Sequence, residues 1–194
     1  MYDDEFELTF DLSDEDKASR APEPEQEPVQ EAAPEPAAET EPPVEPVPEP
    51  AVPAANGRCV LISGGDRGIG AAAARAFWQA GYRVAVLYHT HAEAAAALEK
   101  ALPGLLAVQC DVASRASCEV AFHTVEQAVG HVDVLVSNAG IAQQKLFTDI
   151  TPEEWQHMLD VNLSGAFHLC QLALPGMIRR KAGRILTVSS MWGQ

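Results

Sequence analysis

The sequence predicts an α/β fold: a doubly wound parallel sheet, truncated after its fifth strand and preceded by an acidic tail. Three observations predict it. Short, continuously apolar runs recur from residue 57 onward, as strands covered on both faces require. Helical segments with their own start and stop signals separate these runs. A glycine-rich turn joins the first run to the first helix. Regular alternation of strand and helix calls for parallel pairing through right-handed crossovers.

The elements follow in order. Cys59-Val60-Leu61-Ile62 reads as the first strand. An alanine-rich helix follows from about residue 68 to 80, ended by Gly81. Residues 84–88 form the second strand, and helix returns at about 91–101, closed by Pro103-Gly104. Residues 105–108 form the third strand. Ser114 stands as the N-cap of a helix to about Val129, with Gly130 after it. Residues 132–136 form the fourth strand. In Thr151-Pro152-Glu153-Glu154, an N-cap precedes a first-position proline and two acids that suit a helix start. That helix is expected to reach about Lys181, with a break near Asn162 to Gly165. Residues 184–188 form the fifth strand, and no internal repeat is visible.

Composition separates residues 1–56 from residues 57–194. The first stretch holds 17 of the 28 acids, two of the 13 bases and eleven of the 14 prolines. The whole net charge of −15 lies there, and residues 57–194 sum to zero. Alternating Pro, Glu, Ala and Val bury too little apolar surface to offset about 1–2 kcal/mol of backbone entropy per residue. A disordered, extended tail, partly polyproline II, is expected. At its start, Tyr2, Phe6, Leu8, Phe10 and Leu12 interleave with acids. Residues 1–12 read either as plain solubilising tail or as a docking peptide for an unknown partner. The charge pattern offers no basic stripe for nucleic acid. No run of about 18 apolar residues would span a membrane. Cys59, Cys110, Cys118 and Cys170 are far apart, with no C-x-x-C pair, and the acidic first residues lack the basic and then apolar segments of a signal peptide, so none is expected. A reducing cytoplasm is the expected compartment.

The glycine turn carries the first chemistry. Ser63-Gly64-Gly65-Asp66-Arg67-Gly68-Ile69-Gly70 places glycines at 64, 68 and 70. In a dinucleotide site one glycine permits the tight turn, one admits backbone to a pyrophosphate, and one lets the helix pack on the sheet. The helix N-terminus then offers free N–H groups to the phosphates. The turn follows a buried strand and opens a helix, the context this motif requires. NAD sites usually carry an acid near the end of the second strand for the ribose 2′-hydroxyl. Here that place holds Tyr88, His89, Thr90 and His91, with no acid before Glu93. Arg67 in the turn suits a 2′-phosphate. NADP is therefore expected over NAD. His89 and His91 have no carboxylate or cysteine partner in the sequence around them, so they read as solvated loop residues, and no metal site is expected.

The turn, together with Ser137-Asn138-Ala139-Gly140 after the fourth strand, resembles the short-chain dehydrogenase/reductase family over residues 57–194. The family pattern is T-G-x-x-x-G-I-G, then N-N-A-G, a helical N, an S, and Y-x-x-x-K. Ser63 and Ser137 replace the usual Thr and Asn with small polar groups. The resemblance implies a Rossmann fold and an NADP-dependent keto reduction. It implies that Gly64, Arg67, Gly68, Ile69 and Gly70 line the phosphates and ribose. Asp111 and Val112 would stand at the adenine, though Asp111 also suits a helix-opening turn. Asn138, Ala139 and Gly140 would lie against the adenosine side, unless they merely end the strand. Asn162 matches the asparagine whose backbone carbonyl holds a water in a proton relay, with a neutral helical residue as the other reading. Ser190 matches the serine that orients substrate; a plain loop hydroxyl, or Ser189 by register, is the alternative.

No Y-x-x-x-K occurs, and Tyr2, Tyr82 and Tyr88 are the only tyrosines. In the family that tyrosine protonates the developing alkoxide and the lysine lowers its pKa. The chain is therefore expected to be C-terminally incomplete and inactive alone, with its fifth strand an open edge. The resemblance points first to 3-oxoacyl-(acyl-carrier-protein) reductases of fatty-acid synthesis, acting as homodimers or homotetramers on a carrier-bound or small keto substrate. Residues 174–181 and 189–194 also resemble the enzymes that reduce a 5-aminopentanone group on elongation factor P. A catalytically inactive nucleotide-binding module with an interaction tail is the reading from another class.

Overall fold

A computed structural model describes residues 54–190. The expectations for the acidic tail and its residues 1–12, and for Met191-Trp192-Gly193-Gln194, lie outside the described residues.

The strands are β1 (Cys59–Ser63), β2 (Arg83–Tyr88), β3 (Leu106–Gln109), β4 (Val134–Ser137) and β5 (Arg184–Thr187). All pair in parallel in the order β3-β2-β1-β4-β5. The helices are α1 (Gly68–Gln79), α2 (Ala92–Ala101), α3 (Arg115–Val129), α4 (Pro152–Leu159) and α5 (Gly165–Arg180). This is the doubly wound arrangement, with the chain reversing direction of travel between β1 and β4.

Period-two alternation in the strands divides the core. Cys59 and Leu61 of β1, Ala85 and Leu87 of β2, and Leu135 of β4 face one way. They pack on Cys118, Ala121, Phe122 and Val125 of α3 and on Leu169, Ala173 and Met177 of α5. Val60, Ile62, Val84, Val86, Val134 and Val136 face the other way, onto Ala74 and Trp78 of α1 and Leu98 of α2. Every residue of β1 is buried, which explains its unbroken apolar run. The chain joins this body before the first strand: Asn56 N donates to Gly81 O at 2.8 Å and Asn56 Nδ2 to Ala80 O at 2.9 Å.

Several boundaries differ from the sequence reading: β1 runs one residue further, to Ser63, β2 starts one residue earlier, at Arg83, and β5 stops one residue earlier, at Thr187. β4 begins at Val134, not at residue 132. There Asp133 takes over the pairing with its side chain: Cys59 N donates to its Oδ2 at 2.9 Å, and its own N donates to Cys59 O at 3.0 Å. β3 is displaced by one residue, to Leu106–Gln109, with Leu105 N closing back on Leu102 O. The helix break begins at Asp160, two residues earlier than expected, as a π-helical turn over Asp160–Ser164 between α4 and α5. Elsewhere the start signals act as read. Ser114 Oγ accepts from Ser117 N, and Thr151 and Glu154 form a reciprocal capping box.

β5 lies at the edge of the sheet, and its Leu186 is 46% exposed. Phe167, Leu174 and Ile178 on α5 are exposed as well.

Candidate cofactor and active site

The carboxyl ends of β1 and β4 lie side by side, and the loops after them are stitched together. The Ser63 hydroxyl accepts from Asn138 N and Ala139 N, both at 3.0 Å. The Asn138 amide donates back to Ser63 O and Gly64 O, also at 3.0 Å each. This pairing holds the glycine turn against the β4 loop. Neither role was apparent in the sequence, where Ser63 read as a substitution for threonine and Asn138 as a residue facing adenosine. The available signal was only that both positions carry short polar side chains at strand ends.

The turn itself is shaped by its glycines. Gly64 and Gly68 adopt φ values of 61° and 53°, the left-handed region that favours glycine. A β-carbon on Gly70 would strike the carbonyl oxygen of Gly64 and come within 2.7 Å of Asn138 Nδ2. Gly70 therefore allows α1 to start tight against the turn. A β-carbon on Gly68 would meet nothing within 4 Å, since Gly68 opens onto a cleft of about 320 Å³.

Nine of the twelve residues singled out from the sequence line that cleft: Gly64, Arg67, Gly68, Ile69, Asp111, Val112, Asn138, Ala139 and Gly140. The other three, Gly70, Asn162 and Ser190, do not line it. Gly70 packs behind the turn. Asn162 lies in the π-helical turn, and its side chain clamps the loop after β4. Its Oδ1 accepts from Ile141 N at 2.8 Å and its Nδ2 donates to Ile141 O at 3.0 Å. Ser190 is exposed three residues beyond β5, past Val188, whose N donates to Ser137 O at 2.9 Å. Asp111 serves both of the readings left open for it. It lines the cleft, and its Oδ1 accepts from Ala113 N at 3.0 Å in the turn that opens α3.

The rim formed by the end of β2 corrects one expectation. His91 does have a carboxylate neighbour, supplied by the glycine turn beside it. His91 Nδ1 lies 3.5 Å from Asp66 Oδ2, and His91 Nε2 lies 3.4 Å from Arg67 Nη1. A partner from 25 positions upstream is invisible to local reading. Cys110, also unremarked in the sequence as a site residue, lines the cleft with its thiol 4.0 Å from that of Cys118.

These features fit a dinucleotide. The turn leaves open room in front of the α1 N-terminus, and the first N–H groups of a helix, which have no intrahelical partner, suit a phosphate. Arg67 stands exposed at the N-cap of α1. No donor set for a metal ion occurs among the described residues.

Residues 58–194 match the short chain dehydrogenase family. Acetoacetyl-CoA reductase of Paracoccus denitrificans is 39% identical over 137 residues, 71% of this chain and 56% of that protein. 3-Oxoacyl-(acyl-carrier-protein) reductase MabA of Mycobacterium avium is 40% identical over 144 residues, 73% of this chain and 53% of that protein. Among solved structures, a short-chain dehydrogenase from Novosphingobium aromaticivorans superposes with a TM-score of 0.65 at 31% identity, covering 70% of this chain and 53% of that one. The chain thus spans about half the length of the curated relatives it matches.

Proposed function

The chain belongs to the short-chain dehydrogenase family, and on that premise we propose that it forms the cofactor-binding part of an NADP-dependent oxidoreductase that reduces a keto group. The observation that carries this reading is the cleft between the β1 and β4 loops, with Gly68 open to it and Gly70 closing the turn behind. Reduced nicotinamide, when bound, supplies a hydride to the carbonyl carbon. In this proposal the glycine turn and the α1 N-terminus hold the phosphates, and Arg67 takes the 2′-phosphate. Ala139 and Gly140 wall the cleft on the β4 side, in the register that Ser63 and Asn138 set. The relatives' names support a 3-oxoacyl or acetoacetyl thioester as substrate class.

Ser190 is proposed to donate to the substrate carbonyl oxygen. Asn162 spends its side chain on Ile141, which leaves its backbone carbonyl as the group proposed for a proton relay. A π-helical turn at that position frees carbonyls from the regular ladder and is frequent at functional sites. Turnover is proposed for a polypeptide that carries a Tyr-x-x-x-Lys helix in addition to these residues. The exposed Phe167, Leu174 and Ile178 of α5 support assembly as a homodimer or homotetramer, and a cytoplasmic location goes with the proposal.

The test is NADPH oxidation with an acetoacetyl thioester by such a polypeptide. Ser190→Ala is expected to lower kcat roughly 10²-fold, the scale of losing one donor to a developing oxyanion, with NADPH affinity retained. Unchanged kcat in that variant would remove Ser190 from the mechanism.

A further inference from the structure

The acid that the end of β2 lacks reaches the cleft from the neighbouring glycine turn. Asp66 sits in the glycine turn and lines the cleft. It is 9% exposed, and its Oδ2 is buried with no hydrogen-bond partner. The approach of His91 Nδ1, at 3.5 Å, is too long to satisfy that oxygen. Burying a carboxylate without a donor is costly, and native structures retain such groups chiefly where they have work to do.

A bound nucleotide supplies what is missing. Its ribose hydroxyls are donors, and a carboxylate is an acceptor with full negative charge. A 2′-phosphate is the reverse case, since it brings acceptors and like charge to the same wall. Asp66 and Arg67 are adjacent in the chain and carry opposite charges, so they favour opposite substituents at one ribose carbon. We infer that Asp66 is a specificity-determining residue: its carboxylate accepts from a ribose hydroxyl of the bound nucleotide and opposes a 2′-phosphate. It thereby offsets the preference that Arg67 confers. The consequence is a site that takes both NADP and NAD, with the balance set within the turn and not at the end of β2. This inference rests on the nucleotide-binding reading above.

Adenosine 5′-monophosphate and adenosine 2′,5′-bisphosphate differ only at the position in question. Their affinities for the purified full chain, measured by calorimetry, test the assignment. Asp66→Asn removes the charge with little change in shape. It is expected to shift the affinity ratio about tenfold towards the bisphosphate. Asp66→Ser keeps a small polar group without charge and is expected to shift the ratio the same way, which keeps the test decisive if the asparagine variant folds poorly. His91→Ala is expected to move the ratio less than about twofold. An unchanged ratio in both Asp66 variants would overturn the inference. So would a His91→Ala shift equal to that of Asp66→Asn, because the carboxylate would then act only through the imidazole. If the unsubstituted chain binds neither compound, the nucleotide reading itself has failed, an outcome distinct from an unchanged ratio.

Discussion

Substituting alanine at Gly70 and at Gly68 makes the same chemical change two residues apart, with different consequences expected. In an ordinary helix alanine is about 1 kcal/mol better than glycine. At Gly70 that gain is outweighed. The new methyl would strike the Gly64 carbonyl and crowd Asn138 Nδ2 at 2.7 Å. Neither neighbour can yield easily, because Gly64 is backbone and Asn138 is tied to Ser63 O and Gly64 O. Overpacking costs about 1–3 kcal/mol, and each lost hydrogen bond about 0.5–1.5 kcal/mol. A net destabilisation of about 2–4 kcal/mol is expected for Gly70→Ala, with nucleotide binding lost as the turn moves. At Gly68 the methyl meets nothing, and only the left-handed backbone is strained, at about 1–2 kcal/mol. Gly68→Ala should therefore fold but bind nucleotide weakly, because its methyl projects where phosphate is expected. Urea unfolding followed by circular dichroism, paired with nucleotide titration, separates the two. A Gly70→Ala variant within about 0.5 kcal/mol of the unsubstituted chain would refute the packing account of the turn.

Two further predictions concern groups that hold the site in place. Ser63→Ala strands the Asn138 and Ala139 N–H groups, at about 1–3 kcal/mol for each donor left unsatisfied. Ser63→Thr keeps the acceptor and is expected to unfold close to the unsubstituted midpoint in urea. Glu154 is held below the usual carboxylate range first by Lys145 and then by the Thr151 backbone. A lowered folded-state value adds stability above the unfolded carboxylate's pKa of about 4.3, and that stability is lost as pH falls through the lowered value. Glu154→Gln is therefore expected to flatten the fall in urea midpoint below about pH 4, and an unchanged acid limb would contradict this.

What the sequence made legible is local. The buried run of β1, the capping box at Thr151 and the N-cap at Ser114 depend on neighbours within a few residues, so the pattern alone places them. The glycine turn was legible for the same reason, and it brings Gly64, Arg67, Gly68 and Ile69 to one cleft. What stayed hidden depends on contacts across the sheet. The start of β4 was misplaced because Cys59 N donates to the Asp133 side chain, which leaves the Asp133 N–H to Cys59 O bond as the backbone link at that level. The closeness of His91 to Asp66 joins two loops that only parallel pairing of β1 with β2 brings together. The start of the π-helical turn was missed because nothing in Asp160-Val161-Asn162 distinguishes it from ordinary helix. Its Asn162 clamp on Ile141 forms only once the β4 loop is in place.

The central claim is that this cleft binds a dinucleotide with Arg67 at the 2′-phosphate. Fluorescence titration of the chain with NADPH and NADH, before and after Arg67→Ala, tests it directly. The unsubstituted chain is expected to bind both, NADPH more tightly. Arg67→Ala is expected to lose about 1.5–3 kcal/mol of NADPH affinity while NADH binding changes little. Failure to bind either nucleotide, or equal losses for both on Arg67→Ala, would contradict the claim.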